Sequence, residues 1–266
     1  MTIERIVPHT IEWEAYYANH ICRYMFASEF LRRRGVKTVL DAACGVGYGS
    51  DYLASFTNAR VVGIDRSEDA LRLAAQSFEN PAVRFLRDDC NTLKEASIHG
   101  PYDAIVSFET IEHLQQPQRF LEACGRNVCS GGFLIVSTPN KCVTSPLGKA
   151  KNAFHETEYS PDEFVDLLAN AGFVNVQLFG QCYTPIGRIR NQVRGQLRSM
   201  LSNPFVRLGR SIQSVLRGRK FGALLPETLD DFEVKSFQCA DEISRVGVDG
   251  PFAIIAITPN KPRPLT

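Results

Sequence analysis

No apolar run in this sequence approaches the roughly 18 to 20 residues that a membrane span requires; a stretch such as FAIIAI at 252 to 257 has strand length. A basic or apolar leader is also missing, because MTIERIVPHTIEWE carries acids from its fourth residue. The expectation is a cytoplasmic chain. None of the eight cysteines (22, 44, 90, 124, 129, 142, 182 and 239) stands in C-x-x-C spacing, and the nearest pair, Cys124 and Cys129, flanks a helix end. Structural zinc and a redox dithiol are thereby disfavoured, and reduced thiols are expected. Glycine plus proline amount to only 33 of 266 residues against 44% apolar and 22% charged residues, which excludes collagen-like, low-complexity and disordered chains. Internal repeats are absent as well.

What is present is a globular composition with an uneven charge. The net charge is +1, yet residues 182 to 226 hold nine bases and no acid, leaving −8 on the remainder. Such a segment suits an acidic partner, whether a phosphate, a nucleotide diphosphate, nucleic acid or an anionic bilayer surface; the plain alternative is a solvated helical face. Arg190, Arg194 and Arg198 recur every four residues beside an apolar stripe of Ile189, Val193, Leu197 and Leu201, so both lie along one helix. Pro204 is expected to open a second helical piece, through Ile212 and Val215. Aromatics are too sparse among the arginines to favour a nucleic-acid stacking platform.

Residues 11 to 34 have helical spacing and end in RRR before Gly35, a set of stop signals. Short apolar runs then alternate with helical stretches: KTVLDAAC (37–44), ARVVGID (59–65), AVRFL (82–86), YDAIVSF (102–108) and GFLIVSTP (132–139). That alternation predicts a parallel sheet covered on both faces. SPDEFVDLLANAGF predicts a helix capped by Ser160, with Pro161 in its first turn. FVNVQLFG (173–180) follows as a sixth strand, and PFAIIAITP (251–259) as a seventh. The basic stretch is then a helical insertion, 182–235, before the last strand of one doubly wound α/β domain, 36–266, preceded by an amino-terminal helical lid, 1–35.

In VLDAACGVGYGS a strand runs into Gly45, Gly47 and Gly49 ahead of a helix expected to begin near Ser50 or Asp51. Glycines let the backbone turn tightly and approach a ligand closely. Asp65 ends the second strand 20 residues after Gly45, where a carboxylate can accept hydrogen bonds from ribose hydroxyls. The spacing is G-x-G-x-G rather than G-x-G-x-x-G, and Asp41 leads it. A carboxylate there can hold loop amides or a cationic amino group, but would repel a diphosphate.

With these features the chain resembles the class I S-adenosylmethionine-dependent methyltransferases across about residues 36 to 180, and also in ERIVP and CRYMFA. The resemblance implies a seven-stranded Rossmann-like sheet whose last strand is antiparallel. It implies S-adenosylmethionine as cofactor, with Asp41, Ala43, Gly45 and Gly47 around the methionine moiety, Asp65 and Arg66 at the ribose, Asp89 and Cys90 at the adenine, and Phe108 beside them. Arg23 and Tyr24 are expected either to fold over the methionine carboxylate or to belong to a packing helix.

SFETIEHL places Glu109, Glu112 and His113 at the carboxyl edge of the fourth strand, where open α/β sheets bind ligands. Methyl transfer from a sulfonium needs an in-line nucleophile and removal of its proton, a task suited to the His113 imidazole, with Glu112 beside it. Positions i, i+3 and i+4 predict one face of a short helix, on which ligands for a divalent metal converge. The E-x-x-E-H string resembles that of ubiquinone-biosynthesis O-methyltransferases and small-RNA 2′-O-methyltransferases, which implies Mg²⁺ or Mn²⁺ on Glu109, Glu112, His113 and, after STPN, His155. The plain alternative has the glutamates capping a helix and His155 bridging a loop. ERIVP, CRYMFA, ACGVGYGS, SFETIEHL, STPN and NAFHETEYS together resemble bacterial glycan- and glycoside-tailoring methyltransferases, which implies O-methylation of a sugar hydroxyl, on an acceptor expected to bear phosphate. A quinone or phenol acceptor would instead call on Trp13, Tyr16, Tyr17 and Phe154.

Overall fold

The computed structural model describes residues 11–146, 152–202, 228–238, 243 and 250–260. Helix α1 (Ile11–Arg33) is followed by β1 (Thr38–Ala42), α2 (Tyr48–Thr57), β2 (Arg60–Asp65), α3 (Glu68–Ser77), β3 (Val83–Arg87), the short α4 (Lys94–Ser97) and β4 (Tyr102–Phe108). A 3₁₀ turn (Ile111–His113), α5 (Pro117–Asn127), β5 (Val128–Pro139), the short α6 (Lys141–Thr144), α7 (Pro161–Asn170), β6 (Gln177–Tyr183), α8 (Pro185–Ser202), β7 (Phe232–Phe237) and β8 (Ala253–Pro259) complete the order.

The strands form one mixed sheet in the order β3-β2-β1-β4-β5-β8-β6-β7. β1 to β5 run parallel to one another, and β8 runs antiparallel to both β5 and β6. Consecutive residues Val39 to Ala42 and Ala104 to Val106 are all fully buried, which requires cover on both faces of the sheet and explains why these strands read as apolar runs interrupted only by Asp41. The strand order reverses between β1 and β4, so the crevice outside their carboxyl ends is the place for a ligand.

Two expectations need correction. The sheet has eight strands rather than seven, because FEVKSF forms β7 at its edge. β6 starts at Gln177 rather than 173: Phe173 donates its amide back to Leu168, completing the end of α7, and Asn175 turns through φ +59° before the chain enters the sheet. β6 runs to Tyr183, and the basic helix α8 opens at Pro185, within the 182–235 stretch expected as an insertion. Its expected continuation from Pro204 and the ERIVP segment lie outside the described residues, as does Cys239.

The Ser160 cap is present as a capping box, its hydroxyl accepting the Glu163 amide while the Glu163 carboxylate accepts the Ser160 amide. Two compact units are distinguished. The larger spans residues 23–182 and resumes at Val234; the smaller contains α8 and the 3₁₀ turn Leu229–Asp231. Within the larger unit Ala27 and Leu31 of α1 are fully buried, so that half of the helix is core. The seven described cysteines are all free. Among the described residues no helix is long and apolar enough to cross a membrane.

Candidate active site

At the end of β1, Asp41 is fully buried yet fully engaged: Ser50 donates its hydroxyl at 2.6 Å and Tyr24 at 3.2 Å. Burial pushes its carboxyl up from 3.8 to about 7, against the pull of these two hydrogen bonds and with a further rise from Asp65. Asp65, at the end of β2, accepts the Gly45 amide at 3.1 Å on one oxygen and the Ser67 amide at 2.8 Å on the other. The carboxylate therefore fixes the glycine loop in addition to the ribose role expected of it.

The three glycines do different work. Gly45 has φ +57° with nothing within 4 Å of an added Cβ, so its requirement is conformational. Gly47, at φ +87°, sits where a Cβ would lie 2.6 Å from the Phe85 ring. Gly49 lets the ring of Tyr24 rest on the first turn of α2, where a Cβ would come within 2.1 Å. α2 thus begins at Tyr48, two residues ahead of Ser50, and Ser50 is freed to hold Asp41. Tyr24 is buried, edge-on to Phe108 at 4.9 Å, and its hydroxyl serves Asp41.

Arg23 is buried beside it; its guanidinium donates to Gln181 of β6 and lies 4.0 Å from Glu109. After β3, Asp88 is the buried member of the acidic pair and accepts the amides of Asp89 and Ala96, whereas Asp89 is exposed and accepts from Asn91. Burial raises the Cys90 thiol to about 12, with Asp65 adding to the effect. Arg66 is exposed just past β2.

β1 and β4, neighbours in the sheet, both leave it through left-handed non-glycine residues: Ala43 at φ +64° and Glu109 at φ +50°. Backbone strain of this kind is sustained only where surrounding structure over-determines it. The turn at Glu109 overrides the expected helix, so Glu109, Glu112 and His113 do not share one helical face. Glu109 instead receives the Ser137 hydroxyl at 2.7 Å and returns its own amide to that oxygen at 3.2 Å.

The 3₁₀ turn then carries Glu112 into the core and His113 toward the surface. Glu112 is fully buried, accepts Thr138 on one oxygen at 3.2 Å, and among the described residues has no hydrogen-bond partner on the other. Burial, reinforced by Glu109, holds its carboxyl well above the usual range. His113 Nδ1 lies 2.9 Å from the Phe154 carbonyl, which only accepts, so this nitrogen is the protonated one and the lone pair resides on Nε2. That Nε2 is 3.8 Å from the second oxygen of Glu112.

His155 meets His113 edge-on at 4.9 Å between ring centres. Its Nδ1 donates to Glu158 at 2.7 Å and its Nε2 accepts from the Asn152 amide at 2.9 Å. Glu112, His113 and His155 each offer a ligand atom within 4.8 Å of the others, and Glu109 stands outside this group. The donor set, two imidazoles and a carboxylate, is that of a divalent transition ion rather than of all-oxygen Mg²⁺ chemistry, and binding one would take His155 Nε2 from the Asn152 amide. Sequence patterning offered no route to Ser137, Thr138 or Gln181, which act across 28, 26 and 158 residues, nor to Ser50, nine residues past Asp41, or Glu158, three residues past His155.

Comparison with known proteins agrees with this geometry. A methyltransferase domain family matches residues 39–132, from β1 into β5. A probable S-adenosylmethionine-dependent methyltransferase of Mycobacterium tuberculosis is 32% identical over 188 residues, covering 70% of this chain and 65% of that protein. The chain thus spans less than two thirds of that relative's length. A ubiquinone biosynthesis O-methyltransferase of Nitrosomonas europaea is 28% identical over 185 residues, 63% of this chain and 76% of its own. Among solved structures, a possible histamine N-methyltransferase of Thermotoga maritima matches with a TM-score of 0.54 at 16% identity, covering 92% of this chain and 94% of that one, a likeness of fold. A glycine loop closed by Asp65 at the reversal of strand order thus lies inside the residues that a methyltransferase domain family matches, and the chain is similar in sequence and in fold to S-adenosylmethionine-dependent methyltransferases.

Proposed function

We propose that the chain transfers the methyl group of S-adenosylmethionine to a hydroxyl oxygen of a small acceptor, with His113 as the general base. The observation that carries the reading is the Nδ1 hydrogen bond to the Phe154 carbonyl, which puts a basic lone pair on Nε2 at the carboxyl edge of β4. Bound S-adenosylmethionine would supply an electrophilic methyl carbon with a neutral thioether as its leaving group, and His113 Nε2 would take the proton of the acceptor hydroxyl as its oxygen gains the methyl. Glu112, buried and held toward its neutral form, stands next to the ring and lends it orientation rather than charge. Arg23 and the Asp41 carboxylate suit the carboxylate and ammonium of the methionine moiety.

Should the enzyme use a divalent ion, Glu112, His113 and His155 would hold it, with Glu158 fixing the His155 ring. Such an ion lowers the pKa of a bound hydroxyl and orients it. Activity retained in excess chelator eliminates this version and leaves the imidazole base.

For the acceptor, a sugar or glycoside hydroxyl follows from the resemblance of the motifs, with a phosphate group expected on it. A phenolic hydroxyl of quinone type is the second reading, favoured by the ubiquinone O-methyltransferase relatives and by Phe154, an exposed aromatic ring on the residue that anchors His113. Incubation with methyl-labelled cofactor, followed by mass spectrometry of nucleotide sugars, glycolipids and polyprenylated phenols, decides between them. Label on amines alone would overturn hydroxyl transfer altogether.

A further inference from the structure

We propose that α8 is an interfacial helix that docks the protein on an anionic lipid bilayer surface. The helix, PIGRIRNQVRGQLRSMLS, contains Arg188, Arg190, Arg194 and Arg198 and no acidic residue. Ile186, Ile189 and Val193 are 57%, 62% and 39% exposed, unusual values for aliphatic side chains inside an ordered helix. At 100° per residue the three fall within roughly 60° of one another, one continuous stripe. The sequence carries the same period onward through Leu197 and Leu201.

The other side of the helix is already spoken for. A Cβ at Gly187 would lie 2.1 Å from the Asp231 carbonyl oxygen, so the helix rests directly on the backbone of the Leu229–Asp231 turn. Thr184 donates its amide to the same carbonyl at 2.8 Å, and Arg190 donates to the buried Asp231 carboxylate and to Thr228, both at 2.9 Å. Gly187 lies roughly 100° around the helix from Ile186 and further from Ile189 and Val193, so docking on the turn leaves the stripe outward. Leu229, 45% exposed on the turn itself, adds apolar surface to the same small unit.

Charge decides the occupant. A second copy of the chain meeting this stripe across a two-fold axis would set arginines against arginines with no acid on the helix to answer them. Nucleic acid would take the arginines and leave three aliphatic side chains in water. An anionic bilayer accepts both: aliphatic side chains enter the acyl boundary while guanidiniums stay among the phosphates, the arrangement of a helix lying in the interface plane.

The test is co-sedimentation of the full chain with phosphatidylcholine vesicles and with mixed phosphatidylcholine and phosphatidylglycerol vesicles. The expected result is partitioning to the mixed vesicles, weak partitioning to phosphatidylcholine alone, and decline with rising salt. Arg188→Glu with Arg194→Glu and Arg198→Glu should lower the partition coefficient on the order of 100-fold, about 5-fold for each arginine lost. Ile189→Asp with Val193→Asp should abolish partitioning although every arginine remains. Both variants should bind S-adenosylmethionine like the parent, which certifies the fold. Equal partitioning by parent and variants, or by both vesicle types, overturns the proposal. So does a concentration-dependent dimer that Ile189→Asp with Val193→Asp dissolves, since a second copy would then be the occupant.

Discussion

The two carboxylates behind the glycine loop and the two glutamates after β4 occupy equivalent places at the sheet's edge, yet they are held by opposite means. Asp65 is gripped by backbone amides, and Asp41 by the hydroxyls of Ser50 and Tyr24, so every oxygen has a donor before any ligand arrives. Glu112 keeps one buried oxygen without a hydrogen bond among the described residues, and His113 is anchored by a loop carbonyl. The glycine-loop side is preorganised, whereas the side after β4 keeps unspent bonding capacity at the place where the proposed proton transfer would occur.

Four experiments break or sharpen that contrast. His113→Ala should leave S-adenosylmethionine binding intact and lower kcat by about 10² to 10⁴, the usual range for a general base, read from single-turnover assays beside calorimetry. Normal turnover would move the base elsewhere. Asp65→Ala removes a charged acceptor for two amides and should weaken cofactor affinity by roughly 100-fold with little change in kcat at saturation, the reverse pattern.

The pH dependence of cofactor binding comes third. The Asp41 carboxyl is raised to about 7 in the fold against 3.8 ordinarily, so the neutral form is the one the cofactor-free protein favours. The group's contribution to stability is complete below pH 3.8 and is lost as pH rises through 7. A cationic ammonium nearby inverts the preference, so affinity should increase about tenfold from pH 6 to pH 8 with net proton release, measurable by calorimetry in buffers of different ionisation enthalpy. A flat profile would mean that Asp41 never faces the ammonium. Smallest is Glu158→Gln, which keeps an acceptor for His155 Nδ1 but removes the charge: a modest fall in kcat with KM unchanged is expected, and rescue relative to Glu158→Ala would identify orientation as its role.

Much of the glycine-loop side was legible because its signals are local: apolar strands, a glycine cluster, and an acid at the next strand's end. What escaped depends on distant partners. Gly49 reads like a third ligand glycine, but its missing Cβ is required by a ring from α1, 25 residues away in sequence. The E-x-x-E-H spacing promised a helical face because periodicity assumes ordinary backbone; φ +50° at Glu109 sends that carboxylate to Ser137 and Arg23. β7 alternates in period two only from Phe232 to Lys235, and its short length and its place after a basic stretch conceal it in the sequence.

The left-handed residues closing β1 and β4 carry an evolutionary implication. Alanine and glutamate each sit there at a cost of about 1 to 2 kcal/mol that glycine would relieve. Selection for heat resistance alone would therefore drift toward glycine at 43 and 109, while the rim of the crevice grew more pliable. Thermotolerant descendants obtained that way should trade turnover for endurance, and reversion at those two codons should restore the catalyst before anything else does.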